Sequence, residues 1–166
     1  MPRIVKGSGP LDAKIVLVGE APGAEEEYSG KPFVGASGRL LTAMLGSVGI
    51  DRAQCRIENV MQVRPRGNNF SEFYLDGAKR RSPGRELVAG RARLLRDLGA
   101  MNANVVIALG KEAIKTLAGK PNIIQWRGSI IPTPFGKVIG TYHPAGILRE
   151  YKNRPVAEID LKRALE

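Results

Sequence analysis

The sequence contains one cysteine, Cys55, and one histidine, His143. A single cysteine excludes an internal disulfide and a metal site built from several cysteines. No hydrophobic run approaches the roughly 20 residues of a membrane-spanning helix. The first residues, MPRIVKGSGPLDAK, lack the hydrophobic stretch of a signal peptide. We therefore expect a cytoplasmic protein that has no membrane partner.

Several common enzyme motifs are also missing. Neither the nucleophile motif G-x-S-x-G nor the phosphate-binding motif G-x-x-x-x-G-K-[ST] occurs in the chain. The glycine-rich turns GEAPG and LGK do not match the dinucleotide-binding pattern G-x-G-x-x-G. These absences argue against a serine hydrolase and against a nucleotide cofactor.

Acidic residues are few relative to basic ones. The 26 Lys and Arg against 16 Asp and Glu give a net charge of +10. Such a balance favours a polyanionic partner, most often nucleic acid, although a basic protein without one fits the composition equally well. Residues 64–96 hold nine basic and three acidic residues, a net +6, so over half of the excess lies in one fifth of the chain.

Hydrophobic strand patterns alternate with helical ones along the chain. The predicted strands are residues 13–20, 56–63, 104–109, 130–131 and 137–142, and the predicted helices are residues 37–48, 85–98, 111–117 and 153–165. This alternation predicts an α/β fold with a parallel sheet covered by helices on both faces, and the length fits one domain over residues 1–166. Residues 64–84, rich in Gly, Pro and Asn, predict a long loop with a KRR run; we call them the basic segment.

Polar residues stand at the carboxyl ends of three predicted strands. Glu20 ends the first strand, Asn59 lies in the second, and His143 follows the last, directly before Pro144. Open α/β sheets bind ligands beyond these strand ends, so we expect a site there. A lone histidine is often structural, but this position favours a functional role as much as a structural one.

Four strings carry a family resemblance. They are GEAPGAEEEYSGKPFVGASGRLL at 19–41, ENVMQVRPRGN at 58–68, VIALGKEAIKTL at 106–117 and TYHPAGILR at 141–149. In this order they resemble the uracil-DNA glycosylase superfamily, most closely the family 4 enzymes of the iron–sulfur type. The resemblance implies a three-layer α/β/α sandwich around a mostly parallel four-stranded sheet. It also implies a monofunctional hydrolase that flips uracil out of DNA and leaves an abasic site, as in base excision repair.

The resemblance also implies a role for each matched residue. Phe33 would stack on the uracil ring, and Asn59 would bind its Watson–Crick edge, donating to O4 and accepting from N3–H. Cytosine presents the opposite pattern and would leave polar groups unpaired. His143 would donate to O2, where charge develops as uracil leaves. Glu20 would hold the attacking water or stabilise the sugar cation, and Glu26 would exclude the methyl group of thymine.

The remaining matched positions imply contacts around the base and along the DNA. Gly19 and Ala21 would complete the uracil site. Ile147 or Leu148 would enter the DNA as an apolar wedge, and Arg149 would contact phosphate or fill the gap in the stack. Leu148 could instead be a helix core residue, and Ser37 an ordinary helix cap. The DNA-contacting residues implied or proposed in this way are Ser37, Arg64, Lys79, Arg80, Arg81, Pro144, Ala145, Ile147, Leu148 and Arg149.

The chain departs from the family 4 pattern at its four cluster cysteines. Two would fall within residues 7–10, one at Val63 and one near Gly90, and Cys55 matches none of them. One thiolate cannot hold a four-iron cluster, so we expect no metal and no cofactor. The basic segment stands as an insertion in the region that the cluster braces, and we expect its KRR run to share in the DNA contact.

Other functions remain open from the sequence. The changed loop could admit another deaminated base, such as hypoxanthine. The chain could also be a non-catalytic nucleic-acid-binding protein, or a small enzyme that acts on free nucleosides. The expected partner is uracil-containing DNA, single- or double-stranded, bound by a monomer.

Overall fold

The computed structural model describes residues 2–166. Within them lie five strands: β1 (Ile15–Gly19), β2 (Arg56–Asn59), β3 (Val105–Leu109), β4 (Ile130–Thr133) and β5 (Gly136–Thr141). The seven α-helices of the same residues are α1 (Ala24–Ser29), α2 (Ala36–Ser47), α3 (Arg85–Met101), α4 (Lys111–Ala118), α5 (Ile123–Trp126), α6 (Pro144–Arg149) and α7 (Arg154–Lys162). None of these helices combines the length and hydrophobicity that crossing a membrane requires.

The five strands form one mixed sheet in the order β2-β1-β3-β5-β4. Strands β2, β1, β3 and β5 are parallel, and β4 runs antiparallel to β5 at the edge. The predicted α/β fold with a mostly parallel sheet is confirmed. The four strands implied by the family resemblance are one too few, because residues 130–133 turn back and pair with β5. The residue pattern at 130–131 does predict a strand there, but not its position at the edge of the sheet.

Each face of the sheet has its own hydrophobic cluster, because alternate residues of a strand point to opposite faces. Val16 and Val18 of β1 join the cluster that contains the apolar residues of α3 and α4. Leu17, between them, joins the cluster formed with α2, α6 and α7. The helices therefore lie in two layers with the sheet between them, which is the predicted three-layer sandwich.

Some element boundaries differ from the sequence pattern. Strand β2 ends at Asn59 rather than at residue 63, and the next two N–H groups donate to the carbonyls of Gly19 and Glu20. Helix α1 lies in a stretch that predicts a loop, and α6 begins directly after His143. Both helices have six residues, which is too short for a helical period to be read from sequence.

The basic segment is irregular but packed. Its single-turn 3-10 helices are Arg66–Asn68, Phe70–Phe73 and Gly77–Lys79. Phe70, Phe73 and Tyr74 are buried in the same cluster as α3 and α4. The aromatic residues thus fasten to the sheet a segment whose glycines and asparagines predict only a loop.

Candidate active site

An open cleft of about 900 Å³ lies at the carboxyl ends of the parallel strands. This is the edge where α/β sheets bind ligands, because the loops after each strand diverge there. Ten of the residues singled out in the sequence line it: Glu20, Ala21, Glu26, Phe33, Ser37, Asn59, Arg80, His143, Ala145 and Arg149.

Asn59 ends β2 and presents a buried amide to the cleft. Only 4% of the residue is exposed, and its Oδ1 has no hydrogen-bond partner among residues 2–166. Arg93 Nη2 donates to the Asn59 carbonyl at 2.7 Å and fixes the backbone there. Gly19 pairs with Asn59 across the sheet, and a Cβ on Gly19 would lie 2.5 Å from Oδ1. Gly19 therefore lies behind the site and leaves room for the amide.

Phe33 projects into the cleft from a short loop, residues 32–35, which we call the Phe33 loop. The Phe33 ring lies 5.6 Å from the imidazole of His143, centre to centre, with the two planes 31° apart. Its backbone has a φ of +53°, a left-handed conformation that is strained for a bulky residue. Such strain costs on the order of 1–3 kcal/mol and persists only where neighbours impose it.

Glu26 lines the cleft and holds the Phe33 loop through its carboxylate. Oε2 accepts hydrogen bonds from the N–H groups of Val34 at 2.9 Å and Gly35 at 2.7 Å. Oε1 accepts from the N–H of Gly23 at 3.1 Å. The carboxylate is therefore fixed by three backbone groups.

Glu20 follows β1 and points to the start of α4. Its Oε2 accepts from the N–H of Glu112 at 3.0 Å. Burial raises the pKa of Glu20, and that hydrogen bond partly opposes the rise. Gly110 has a φ of +95°, and a Cβ there would lie 2.8 Å from Glu20 Oε2 and 3.0 Å from His143 Cβ. The glycine turn after β3 thus lets Glu20 and His143 approach each other.

His143 begins α6 and caps it. The N–H of Ala145 donates to Nδ1 at 3.0 Å, so in the neutral ring the proton is on Nε2. Burial, and to a smaller degree the charge of Arg149, lowers the pKa of His143 to about 4. The imidazole is therefore neutral at neutral pH and offers one N–H donor.

The cleft thus combines four chemical functions. An aromatic face, an amide acceptor and a neutral imidazole donor suit a planar ring that carries both N–H and C=O groups. The half-buried carboxylate of Glu20 near the same point can hold a water molecule. These groups come from the ends of β1, β2 and β5 and from the Phe33 loop.

The predicted wedge residues separate into buried and exposed ones. Ile147 is 0% exposed and packs with α2 and α7, and Pro144 is buried in the first turn of α6. The helix turns both side chains towards the core, so neither is presented at the surface, and their contact with DNA stays a prediction. Leu148 is 44% exposed, so it is not the core residue of α6.

The basic residues that were predicted to contact DNA also fall into two groups, those that line the cleft and those that do not. Arg64, Lys79 and Arg81 do not line the cleft, and Arg64 donates to Asn68 Oδ1 at 2.9 Å. Arg80 does line it, and its Nη1 lies 2.9 Å from Glu112 Oε2. Of the KRR run, only Arg80 faces the cleft.

Glu112 is a buried residue that sequence reasoning missed. Its carboxylate accepts a hydrogen bond from the Tyr74 hydroxyl at 2.6 Å, pairs with Arg80, and has Arg91 Nη2 at 3.8 Å. Lys115 Nζ donates to the carbonyl of Arg80 at 2.9 Å. This cluster, Tyr74, Arg80, Arg91, Glu112 and Lys115, ties the basic segment to α3 and α4. In the sequence, Glu112 reads as an ordinary surface residue of an amphipathic helix.

Two further cationic side chains line the cleft, and no sequence pattern singles them out. Lys111 is the first residue of α4, and Lys152 lies in a turn after α6. Lysine at a helix start or in a turn is too common for either to be singled out from sequence.

Comparisons with known proteins find a family and several relatives that match the chain. The sequence model of the uracil DNA glycosylase superfamily matches residues 6–165. A Type-4 uracil-DNA glycosylase of Thermotoga maritima is 37% identical, and the match covers 98% of this chain and 81% of that protein. Proteins of the same name from Archaeoglobus fulgidus and Pyrobaculum aerophilum are 36% and 35% identical, over 96% and 95% of this chain and 79% of each relative.

These relatives contradict the expectation that the protein has no cofactor. They carry the name of the type to which the resemblance attributes an iron–sulfur cluster. The residues present nevertheless do not fit that group. Burial raises the pKa of the Cys55 thiol to about 11, which disfavours the thiolate that iron requires. Within residues 2–166, no group of three or more His, Cys, Asp or Glu side chains could hold a metal ion.

Proposed function

The chain belongs to the uracil DNA glycosylase superfamily, and on that premise we propose that its cleft excises uracil from DNA and leaves an abasic site. The proposal depends chiefly on the buried Oδ1 of Asn59, which has no partner among the described residues. Buried polar atoms are nearly always hydrogen-bonded, so an orphan acceptor in a cleft indicates a ligand with a donor. The N3–H of uracil is such a donor.

Recognition depends on the Asn59 amide and the Phe33 ring. With uracil against the ring, Oδ1 of Asn59 accepts from N3–H and the amide nitrogen donates to O4. Cytosine has an unprotonated N3 and an amino group at C4, so both bonds would be lost and the buried amide left unpaired. A site built in this way rejects the wrong base strongly, because it desolvates groups that it then fails to satisfy.

His143 supports the departure of uracil. As the bond between C1′ and N1 breaks, its electron pair leaves with the base and negative charge spreads to O2. The neutral Nε2–H donates to that oxygen, and the interaction strengthens as charge develops. A ring with a pKa of about 4 keeps its second nitrogen unprotonated, so Ala145 can continue to orient it.

Glu20 supplies the other half of the reaction. Its carboxylate accepts a hydrogen bond from a water molecule that attacks C1′, and it stabilises the positive charge that develops on the sugar. The new bond joins the water oxygen to C1′, and the water proton passes to the carboxylate. The N–H of Glu112 donates to Oε2 of the same carboxylate and holds it in position.

Glu26 shapes the pocket for uracil against thymine. Three N–H groups hold its carboxylate at the wall of the cleft. A carboxylate that cannot move leaves no room for the methyl group that thymine carries on C5. Ala21, next to Glu20, completes the same wall.

The DNA contacts surround the cleft. Leu148 is the exposed apolar side chain of α6 and takes the role of the wedge, with Arg149 beside it. Ser37 lies in the first turn of α2, and both Ser37 and Arg80 line the cleft. The net charge of +10 supports binding of single- or double-stranded DNA through its phosphates.

We further propose that the enzyme is monofunctional, so that water rather than a lysine attacks the sugar. Lys111 and Lys152 line the cleft and make this testable. Borohydride traps a Schiff base between a lysine and an opened abasic sugar. We expect no trapped adduct with uracil-containing DNA, and an adduct lost in Lys111→Ala would contradict the proposal.

We propose one domain over the whole chain, with the basic segment as an insertion, acting as a monomer in the cytoplasm. Sedimentation with and without DNA tests the monomer.

The excision proposal is tested with oligonucleotides that contain one uracil, opposite guanine, opposite adenine or in a single strand. After incubation, alkali breaks the strand at each abasic site. We expect breaks with uracil, and a hypoxanthine-containing strand tests the range of bases. Absence of breaks in every uracil substrate would contradict the proposal, and binding without breaks would favour a non-catalytic protein.

Variants separate recognition from chemistry. Asn59→Asp is expected to weaken excision of uracil and to admit cytosine. His143→Ala is expected to slow the single-turnover rate about 100-fold, the usual scale for losing one oxyanion donor. Lys137→Ala, exposed at the start of β5 and so at the opposite edge of the sheet, is the control. A full rate in His143→Ala contradicts the role given to the imidazole.

A further inference from the structure

The strained backbone of Phe33 requires a cause outside the residue itself. Its φ of +53° lies in the region that glycine and asparagine adopt readily and phenylalanine does not. The Phe33 ring is buried and faces His143, so the strain is retained at the point where the cleft needs a flat surface. The surrounding structure must therefore impose the conformation.

Ionised side chains of opposite sign hold the two sides of the Phe33 loop. On one side the Glu26 carboxylate accepts from the N–H groups of Val34 and Gly35. On the other, Nη2 of Arg52 donates to the carbonyls of Phe33 at 2.7 Å and Pro32 at 3.2 Å. The N–H groups that follow Phe33 are thus bound by a carboxylate, and the carbonyls of Phe33 and of the residue before it are bound by a guanidinium.

Arg52 also joins this loop to α2. Its Nη1 donates to the carbonyl of Gly38 at 3.1 Å and to Thr42 Oγ1 at 2.8 Å. A Cβ on Gly38 would lie 1.9 Å from the Phe33 carbonyl oxygen, so the loop rests directly on the helix backbone. One guanidinium therefore bonds to four oxygens, two in the loop and two in α2.

We propose that Arg52 is a positioning residue for uracil excision: it locks Phe33 in its left-handed conformation and so holds the ring against the base. This inference rests on the proposed function. A planar guanidinium presents five donors in a fixed fork, which can bridge the loop and the helix at once. A lysine ammonium keeps the charge but cannot reach both sets of oxygens in one geometry.

The kinetic test uses Arg52→Ala and Arg52→Lys in a cycle with Phe33→Ala. Misplacing a group by about 1 Å can lower activity about 100-fold, and we expect a loss of that order in kcat/KM for both Arg52 variants. If Arg52 acts through Phe33, the double variant Phe33→Ala with Arg52→Ala is no slower than Phe33→Ala alone. Losses that multiply in the double variant would overturn the inference.

The physical test does not depend on activity. Hydrogen exchange is measured on the folded protein, and the amides of Val34 and Gly35 are expected to exchange faster in both Arg52 variants than in the wild type. Arg163→Lys is the matched control, because its guanidinium also donates to a backbone carbonyl, that of Gly128. Its Val34 and Gly35 amides are expected to exchange at the wild-type rate.

The two proposals fail in different ways. If the wild type does not release uracil, the proposed function is wrong whatever the exchange rates are. If the wild type is active and the loop amides of Arg52→Lys exchange as in the wild type, Arg52 does not hold Phe33. Arg52→Lys retains the charge, so it supplies this result even if Arg52→Ala does not fold.

Discussion

The Phe33 loop and the basic segment form two walls of one cleft, and they are held by different forces. The Phe33 loop is held through its own backbone, with Glu26 on its N–H groups and Arg52 on its carbonyls. The basic segment is held through side chains that converge on the buried carboxylate of Glu112. The first wall should therefore respond to changes that disturb its backbone contacts, and the second to removal of the one carboxylate on which its side chains converge.

The largest expected effect comes from removing the charge that holds the basic segment. Glu112→Ala leaves the Arg80 guanidinium and the Tyr74 hydroxyl without their acceptor, and it removes the negative charge that faces Arg91. Breaking a buried pair in this way costs about 3–5 kcal/mol. Urea unfolding should show a loss of that order in the free energy of unfolding.

The control for Glu112 is Asp97, which pairs with Arg93 within α3 and has a side chain 40% exposed. Asp97→Ala is expected to cost no more than about 1 kcal/mol, as for other surface pairs. Equal losses in the two variants would mean that the Glu112 cluster does not hold the segment.

A change of shape should affect the other wall next most strongly. Gly38→Ala directs a methyl group at the Phe33 carbonyl, 1.9 Å away, and overpacking of this kind costs about 1–3 kcal/mol. Gly46→Ala, in the same helix, meets nothing within 4 Å and should stabilise the protein by about 0.5–1 kcal/mol. Thermal unfolding compares the two, and equal stability would contradict the contact between the loop and α2.

Salt dependence separates the residues of the KRR run. Lys79 and Arg81 are exposed, whereas Arg80 is paired with Glu112. Removing both exposed charges should flatten the slope of log affinity against log salt by about 2, since each phosphate contact contributes about 0.9. Arg80→Ala should change it less. Fluorescence anisotropy with uracil-free duplex measures the slope.

The matched control for that slope is Lys14→Ala with Lys137→Ala, which removes two exposed lysines at the opposite edge of the sheet. The control slope should equal that of the wild type. If it falls as much as in Lys79→Ala with Arg81→Ala, the DNA contact is not located on the basic segment.

The smallest effect on stability at neutral pH is expected from the protonation of His143, which lies between the two walls. Because burial lowers its pKa to about 4, the folded protein should show no titration near the ordinary value of about 6.5. The unfolded chain takes up the proton first as pH falls, so stability present above pH ~6.5 is lost progressively towards pH ~4. His143 gives the only histidine signal in an NMR titration, and a midpoint near 6.5 would contradict a buried neutral ring.

The sequence predicts the floor of the cleft better than its walls. Glu20, Asn59 and His143 could be singled out because parallel strands bring their carboxyl ends to one edge. Glu112 and Arg52 could not, because each acts on partners 38 or 19 residues away in the chain. Such contacts leave no local pattern, and both residues look like ordinary charged positions.

Short helices limit the prediction in another way. The string PAGILR is too short for a period, so nothing in it tells whether Ile147 or Leu148 faces the core. The structure separates them, since neighbouring helical residues point about 100° apart. The aromatic residues of the basic segment are a similar case, because glycines and asparagines around Phe70 obscure that it is buried.

Helix α6 also fixes the distance between two of the proposed functional residues. It begins directly after His143, which on the proposed mechanism donates a hydrogen bond to the base, and Leu148 follows His143 by five residues. At about 1.5 Å per residue, the backbone positions of His143 and Leu148 are separated along the helix axis by about 7.5 Å. On the proposed mechanism, the spacing between the wedge and the His143 N–H is therefore set by α6, so inserting or deleting one residue between them should change that spacing.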